Sequence, residues 1–110
     1  MVFLIGRLGQ DPEIKDHGGK TKVKFTLGTS EKYKDQEHTE WHNIISWGNC
    51  AEIIAKYCVK GMLVHLQGKN KTSSWMEGSR KNYFHFVEVF QVKLLEKKGD
   101  VPIEPEILPS

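Results

Sequence analysis

Four aromatic side chains occur close to lysines, outside the alternating apolar positions that predict a core. They are Tyr33, Trp41, Trp47 and Trp75. The lysines near them are Lys20, Lys22, Lys24, Lys32, Lys34, Lys69 and Lys71. A ring can stack on any nucleobase, for about 1–3 kcal/mol per base, while ammonium groups contact the phosphates. The pattern indicates a surface for single-stranded nucleic acid, although any one tryptophan could instead fill a core and the lysine rows could serve solubility.

Catalysis and metal binding have little support in the sequence. Ser73-Ser74 lacks the setting of a nucleophile elbow. Cys50 and Cys58, if both are on one helix, are about 12 Å apart by helical rise, too far for a disulfide. No zinc-ligand spacing surrounds them. The sequence therefore predicts a binding protein rather than an enzyme, with no cofactor, no metal site and two free thiols.

Length and charge set the remaining limits. The 110 residues suit one domain with a modest core. The net charge is +2, with 14 basic against 11 acidic residues in 1–96 and two against three in 97–110. That imbalance is too small to indicate nucleic acid by itself. Because no apolar run approaches the roughly 20 residues that span a bilayer, we expect an intracellular protein that does not contact a membrane.

The elements that must position the rings are strands. Residues 39–47 are rich in β-branched and aromatic types and lack Gly and Pro, which predicts a strand with Trp41 and Trp47 on one face and His42 on the other. Residues 20–31 alternate, which places Lys20, Lys22 and Lys24 on an open face. Further strands are predicted at 2–5, 62–66 and 83–96, the last with one apolar face. That face comprises Phe84, Phe86, Phe90, Val92 and Leu94.

One helix interrupts these strands. Ala51, Ile54, Ala55 and Cys58 recur at helical spacing after Asn49, a good N-cap, with Glu52 placed for a capping box. Five strands with one short helix between the third and the fourth is the element order of an OB-fold, an all-β Greek-key barrel whose face and loops bind oligonucleotides. We therefore expect an OB-fold domain over residues 1–96. Residues 97–110, with three prolines and no periodicity, are expected to form a flexible tail.

The first strand is apolar on both faces, at Val2, Phe3, Leu4 and Ile5. One face can meet the core of this domain. An antiparallel strand with one wet face should alternate, so the other face also needs a cover. A second copy of the chain is the cover that we expect.

Several segments together resemble one family. They are 2–13, Leu27–Glu31, Thr39–His42, Ala51–Tyr57, Lys60-Gly61, Gly68 and Trp75. In order and spacing they look like the bacterial-type single-stranded-DNA-binding proteins, homotetrameric OB-fold replication proteins that are also found in mitochondria. The resemblance covers about residues 1–96.

The resemblance implies specific roles. Tyr33, Trp41, Trp47 and Trp75 fall at base-stacking positions, His42 at a subunit contact, and residues 2–5 on the strand that pairs subunits. The expected interface of a homotetramer, a dimer of dimers, comprises Val2, Phe3, Leu4, Ile5, His42 and His65. Ser73-Ser74 stand where the family often has basic residues, and residues 104–110 only loosely match the acidic, hydrophobic tip that recruits other proteins.

The expected function is non-catalytic protection of single-stranded DNA in replication, recombination and repair. Replication and repair proteins are expected as further partners, and the bacterial cytoplasm, at the nucleoid, is expected as the location in preference to the mitochondrion. Two alternatives remain open: a primosome-type OB-fold adaptor that mainly contacts protein, and an RNA-binding OB module. The four rings favour single-stranded DNA binding over an adaptor, which has no need of four stacking residues. They do not exclude the RNA-binding module, because stacking does not distinguish DNA from RNA.

Overall fold

The structure is a computed structural model, which describes residues 1–97 except the side chains of residues 31–33. The segment 98–110, most of the expected tail, lies outside the described residues. The elements in chain order are β1 (Val2–Leu8), β2 (Glu13–His17), β3 (Lys20–Tyr33), β4 (Gln36–Trp47), α1 (Gly48–Tyr57), β5 (Leu63–Glu77) and β6 (Arg80–Leu94).

Five of the strands close into a barrel. The sheet order is β1-β5-β6-β4-β3-β2, and β1 also pairs with β3, which joins the two sides. Strands β4 and β6 run parallel, and the other paired strands are antiparallel. The helix lies in the chain between β4 and β5. This closed topology with one short helix confirms the predicted OB-fold.

Strand β2 is an addition that the sequence analysis did not predict. Among the strands of the described residues it pairs only with β3, from Glu13 opposite Lys24 to His17 opposite Lys20, through a turn at Gly18 and Gly19. All its residues are exposed, so no apolar alternation marks it in the sequence. Its effect is to extend the sheet beside the lysine end of β3.

The core is built from the inward faces of the barrel strands and closed by α1. Val23, Phe25 and Leu27 of β3 face Ile44 of β4, and all four are at most 1% exposed. Ala51 and Ile54 of α1 are fully buried against this cluster. The core therefore uses none of the three tryptophans, which leaves them available at the surface.

The helix begins differently from the prediction. Its N-cap is Trp47, which is extended and makes no side-chain cap hydrogen bond, so the predicted capping box of Asn49 and Glu52 is wrong. Gly48 has a φ of +68°, a conformation that glycine adopts readily, and this allows β4 to turn directly into the helix. Consequently Trp47 is held at a strand-to-helix junction.

A β-bulge in β6 explains a second difference. Gln67 pairs with Gln91 but Gly68 pairs with Val89, so Phe90 is left over. One extra residue moves every side chain beyond it in the strand to the opposite face of the sheet. Val87 and Val89 are therefore the core residues before the bulge. The prediction that one apolar face runs from residue 84 to residue 94 is wrong, and Phe84 and Phe86 lie on the outer face.

A polar clamp joins the end of the domain to β1. Glu96 Oε1 accepts hydrogen bonds from the backbone N–H of Leu63 and from Arg7 Nη1, both at 3.0 Å. Arg7 Nη1 also donates to the Gly61 carbonyl at 2.8 Å. The hydrogen bond from the Leu63 N–H lowers the pKa of Glu96 most, and the hydrogen bond from Arg7 lowers it further. The clamp fixes the segment after β6 against the barrel.

Candidate nucleic-acid interface

The register of β3 and β4 brings rings and lysines to one outer face. Lys22 is opposite Trp47, Lys24 is opposite Ile45, and Gly28 is opposite Trp41. Directly opposed residues of an antiparallel pair share a face of the sheet. The structure thus unites two predicted ring positions with two predicted lysines.

The ring of Trp41 packs against two glycines. An ideal Cβ added at Gly9 would be 2.5 Å from Trp41 Cζ3, and one added at Gly28 would be 2.9 Å from the same atom. These are closer than real Cβ contacts, so the indole occupies the space that a side chain would need. The ring is nevertheless 61% exposed. It borders an open groove of about 860 Å³, which Thr39 and Lys60 also line.

Trp47 is the second ring and is half-buried. Lys22 Nζ lies 5.2 Å from its ring centroid, and His17 approaches it edge-on at 5.6 Å between centroids. Lys20 and Trp47 together line a shallower pocket. Three of the predicted residues therefore meet at the end of β4, next to the added strand β2.

Trp75 and two further lysines lie on the β5–β6 hairpin. Trp75 is 49% exposed and opposite Asn82, and the register places Lys69 and Lys71 on its side of the hairpin. Lys71 Nζ lies 3.5 Å from Glu88 Oε1, in a salt bridge exposed on both sides. Such exposed pairs are weak, so a phosphate can compete for this lysine.

Phe84 and Phe86 belong to the same face, and the sequence analysis missed them. Phe84 is opposite Ser73 and Phe86 is opposite Lys71, which puts both rings on the side of Trp75. Their centroids are 5.8 Å apart with 22° between the planes, and Lys24 Nζ lies 5.2 Å from the Phe84 centroid. The sequence did contain a signal for this arrangement. Val87 and Val89 are apolar residues at odd positions, so the odd positions of this strand could also form its buried face and leave Phe84 and Phe86 outside.

The β3–β4 hairpin carries the remaining predicted residues. Lys34 and Asp35 form its turn, with φ values of 52° and 64°. Positive φ at both central residues is typical of the tight type I′ turn. The side chains of Lys32 and Tyr33 lie outside the described residues, so their predicted role stays a prediction.

The residues of β1 that were predicted to form the subunit interface lie on both faces of the strand. Phe3 and Ile5 are 59% and 57% exposed, whereas Val2 and Leu4 are partly buried on the inward face. His65 is opposite Ile5, and its ring centroid is 6.1 Å from that of Phe3.

His42 lies on β4 on the opposite face from Trp41, as predicted, and its Nε2 is 3.0 Å from Thr29 Oγ1. His38 and His42 are four residues apart, a ligand spacing on a helix, but four residues of a strand span about 13 Å. Within residues 1–97, leaving aside the side chains of 31–33, no three His, Cys, Asp or Glu residues are placed to hold a metal ion. None of the described helices is long and apolar enough to cross a membrane.

Comparisons with known proteins agree with this geometry. The profile of the single-strand binding protein family matches residues 1–95. Single-stranded DNA-binding protein 1 of Chlorobaculum tepidum is 48% identical over 80 residues, which cover 67% of this chain and 49% of that protein. The chain thus spans about half the length of this curated relative. The structure of a Plasmodium falciparum SSB complex with ssDNA is similar at a TM-score of 0.78 and 30% identity, covering 86% of this chain and 93% of the other.

Proposed function

The chain belongs to the single-strand binding protein family, and we propose from this premise that it binds single-stranded DNA with little sequence preference. The observation that carries the proposal is the outer face shared by Trp41, Trp47 and Trp75 with five lysines. Those lysines are Lys20, Lys22, Lys24, Lys69 and Lys71. The DNA-bound neighbour and the bacterial relative support the same ligand.

Each part of the face has a distinct physical role in this proposal. Exposed indoles offer flat apolar surfaces on which unpaired bases stack, and every base has such a surface. In a duplex the faces of the bases are stacked on one another and cannot take this contact, and only the base edges are accessible, to elements that enter a groove. The exposed rings lie on strands and a hairpin, so the face suits a single strand better than a duplex.

The lysines contact phosphates and make the affinity depend on salt. Each phosphate that is neutralised releases counterions, so affinity falls as salt rises. Lys71 already pairs with Glu88, and residues 1–96 carry a net charge of only +3. We therefore expect a modest salt dependence, with stacking supplying a large share of the free energy of binding.

The wider role that we propose is protection of single-stranded DNA during replication, recombination and repair, without catalysis. The bacterial cytoplasm, at the nucleoid, is the proposed location, and replication and repair proteins are the proposed further partners. The bacterial origin of the relative supports the location.

We propose that the chain assembles as a homotetramer, a dimer of dimers. The outer face of β1 supports this, because Phe3 and Ile5 are more than half exposed on a strand that is apolar throughout its first half. Exposed apolar strands tend to pair with other chains. Phe3, Ile5 and His65 would form the contact, Val2 and Leu4 would support it from the core side, and His42 would contribute from β4.

We also propose that the binding domain ends at Glu96 and that residues 97–110 form a flexible tail. The clamp of Glu96 on Arg7 and Leu63 supports this boundary, because it is the last polar anchor before the tail in the described chain.

Competition binding tests the proposed function. Labelled oligo-dT should be displaced by unlabelled single strands of mixed sequence and only weakly by duplex of equal length. Trp41→Ala and Trp75→Ala should each weaken binding by about 1–3 kcal/mol, with an unchanged thermal melt. Tight, sequence-specific duplex binding would contradict the proposal, and a collapsed melt in either variant would show that the tryptophan is needed for folding instead.

A further inference from the structure

Two phenylalanines lie on the outer face of β6 although the core does not need them. Phe84 and Phe86 are half-buried, whereas Val87 and Val89 between them and the bulge are 5% and 2% exposed and fill the interior. A phenylalanine has no polar group that would suit it to water. Two of them, two residues apart on one strand face, therefore form an apolar aromatic surface that has no function within the fold described so far.

This surface lies between the other rings. Strand β6 is flanked by β4, which carries Trp41 and Trp47, and by β5, which carries Trp75. The register places Phe84 two residue pairs from Trp75, on the same face, because Ser73 is opposite Phe84 and Trp75 is opposite Asn82. The phenylalanines thus lie on the strand between the one that carries Trp41 and Trp47 and the one that carries Trp75.

Cations border the pair on both sides. Lys24 of β3 holds its ammonium group 5.2 Å from the Phe84 centroid, and Lys71 of β5 is directly opposite Phe86. A ring flanked by an ammonium group is the arrangement in which a base can stack while its phosphate is neutralised.

We propose that Phe84 and Phe86 form an additional stacking site for one or two nucleobases, with Lys24 and Lys71 contacting the adjoining phosphates. The site rests on the proposed function, since it takes the same class of ligand, and it joins the rings of β4 to Trp75 in one continuous path. In the free protein Lys24 lies over the ring that a base would use. On binding, its ammonium group exchanges the exposed ring contact for a phosphate oxygen.

Leucine substitutions test the site, because leucine keeps an apolar side chain but removes the flat ring. The variants are Phe84→Leu and Phe86→Leu. Tyr83→Leu is the matched control, since Tyr83 is 58% exposed on the same strand but faces the other side of the hairpin. Affinity is measured by fluorescence anisotropy with labelled oligo-dT long enough to cross the whole face, and stability by thermal melting.

Each phenylalanine variant should bind at least about 5-fold more weakly than the unmodified chain, the lower end of what the loss of one stacked base causes. Tyr83→Leu should bind like the unmodified chain. If the unmodified chain binds oligo-dT and the phenylalanine variants match Tyr83→Leu, the stacking site is refuted while the proposed function stands. If the unmodified chain binds no single strand, the proposed function itself fails, and the site with it.

Photochemical crosslinking of the unmodified protein provides a second readout that does not depend on a variant folding. After irradiation with oligo-dT and digestion with trypsin, mass spectrometry should find a thymine adduct on Phe84 or Phe86, in the peptide spanning residues 82–93. Adducts confined to other residues would overturn the proposal.

Discussion

The close contact of Gly9 with the Trp41 ring gives the sharpest mutational prediction. Gly9→Ala adds a Cβ that would lie 2.5 Å from Trp41 Cζ3 and 2.6 Å from Thr26 Oγ1. Both neighbours are side chains on the outside of the barrel, so they can move without disturbing the core. The substitution should therefore displace the indole and leave the fold intact.

The size of the effect follows from the displacement. The ring must move by about 1 Å, to the roughly 3.5 Å separation at which carbon atoms pack best. A displacement of this size between the ring and a stacked base loses up to about half of the van der Waals energy of their contact. A stacked base contributes about 1–3 kcal/mol, so a loss of about half weakens binding by about 2- to 12-fold. The free energy of unfolding should change by less than about 1 kcal/mol, because Trp41 is mostly exposed.

A double-mutant cycle shows whether the ring carries the effect. Oligo-dT affinity is measured for the unmodified chain, Gly9→Ala, Trp41→Ala and the double variant. Gly9→Ala should have almost no effect on affinity once Trp41 is alanine. An equal loss of affinity in both backgrounds would show that Gly9 does not act through the Trp41 ring. Gly6→Ala is the contrasting variant, because its Cβ would meet the backbone carbonyl of Gly28. It should lower stability by about 1–3 kcal/mol.

Three further predictions concern the ends and the assembly of the domain. The lowered pKa of Glu96 means that its carboxylate stabilises the fold above the ordinary glutamate pKa of about 4.3, and that this stabilisation is lost as the pH falls through the lower, folded-state value. Glu96→Gln should therefore melt below the unmodified chain at pH 7, and the gap should close in acid; a constant gap would contradict the clamp. A chain ending at Lys97 should bind and melt like the full chain, whereas one ending at Leu94 should melt lower; equal melts would place the boundary elsewhere. In light scattering, Phe3→Asp should yield smaller species because it buries an unpaired carboxylate, and Ile14→Asp, on exposed β2, should not; a monomeric unmodified chain would refute the assembly.

The elements with strong alternation could be predicted from the sequence. Val23, Phe25 and Leu27 are buried as their period-two pattern indicates, and Trp41 and His42 take opposite faces of β4. The lysines of β3 share the outer face with the indoles for the same reason. The part of the candidate site on β3 and β4 therefore follows from strand periodicity.

The rest depended on features that periodicity cannot reveal. The bulge at Phe90 moves the side chains of β6 to the opposite face, so Phe84 lies on the outer face and not on the inner face that strand alternation predicts. The helix starts at the left-handed Gly48, so Asn49 lies inside its first turn and cannot act as the N-cap. The position of Gly9 under Trp41 joins residues far apart in sequence, and no local pattern predicts such a contact.

Quenching of intrinsic tryptophan fluorescence tests the central claim most directly, because the proposed stacking residues are themselves the probes. The protein is titrated with oligo-dT, oligo-rU and a duplex of equal length at one fixed salt concentration. We predict strong, saturable quenching by oligo-dT that is reduced in Trp41→Ala and Trp75→Ala, weak quenching by duplex, and with oligo-rU a response that measures the preference for DNA over RNA. Quenching by duplex as strong as that by oligo-dT, or no quenching by any single strand, would contradict the account.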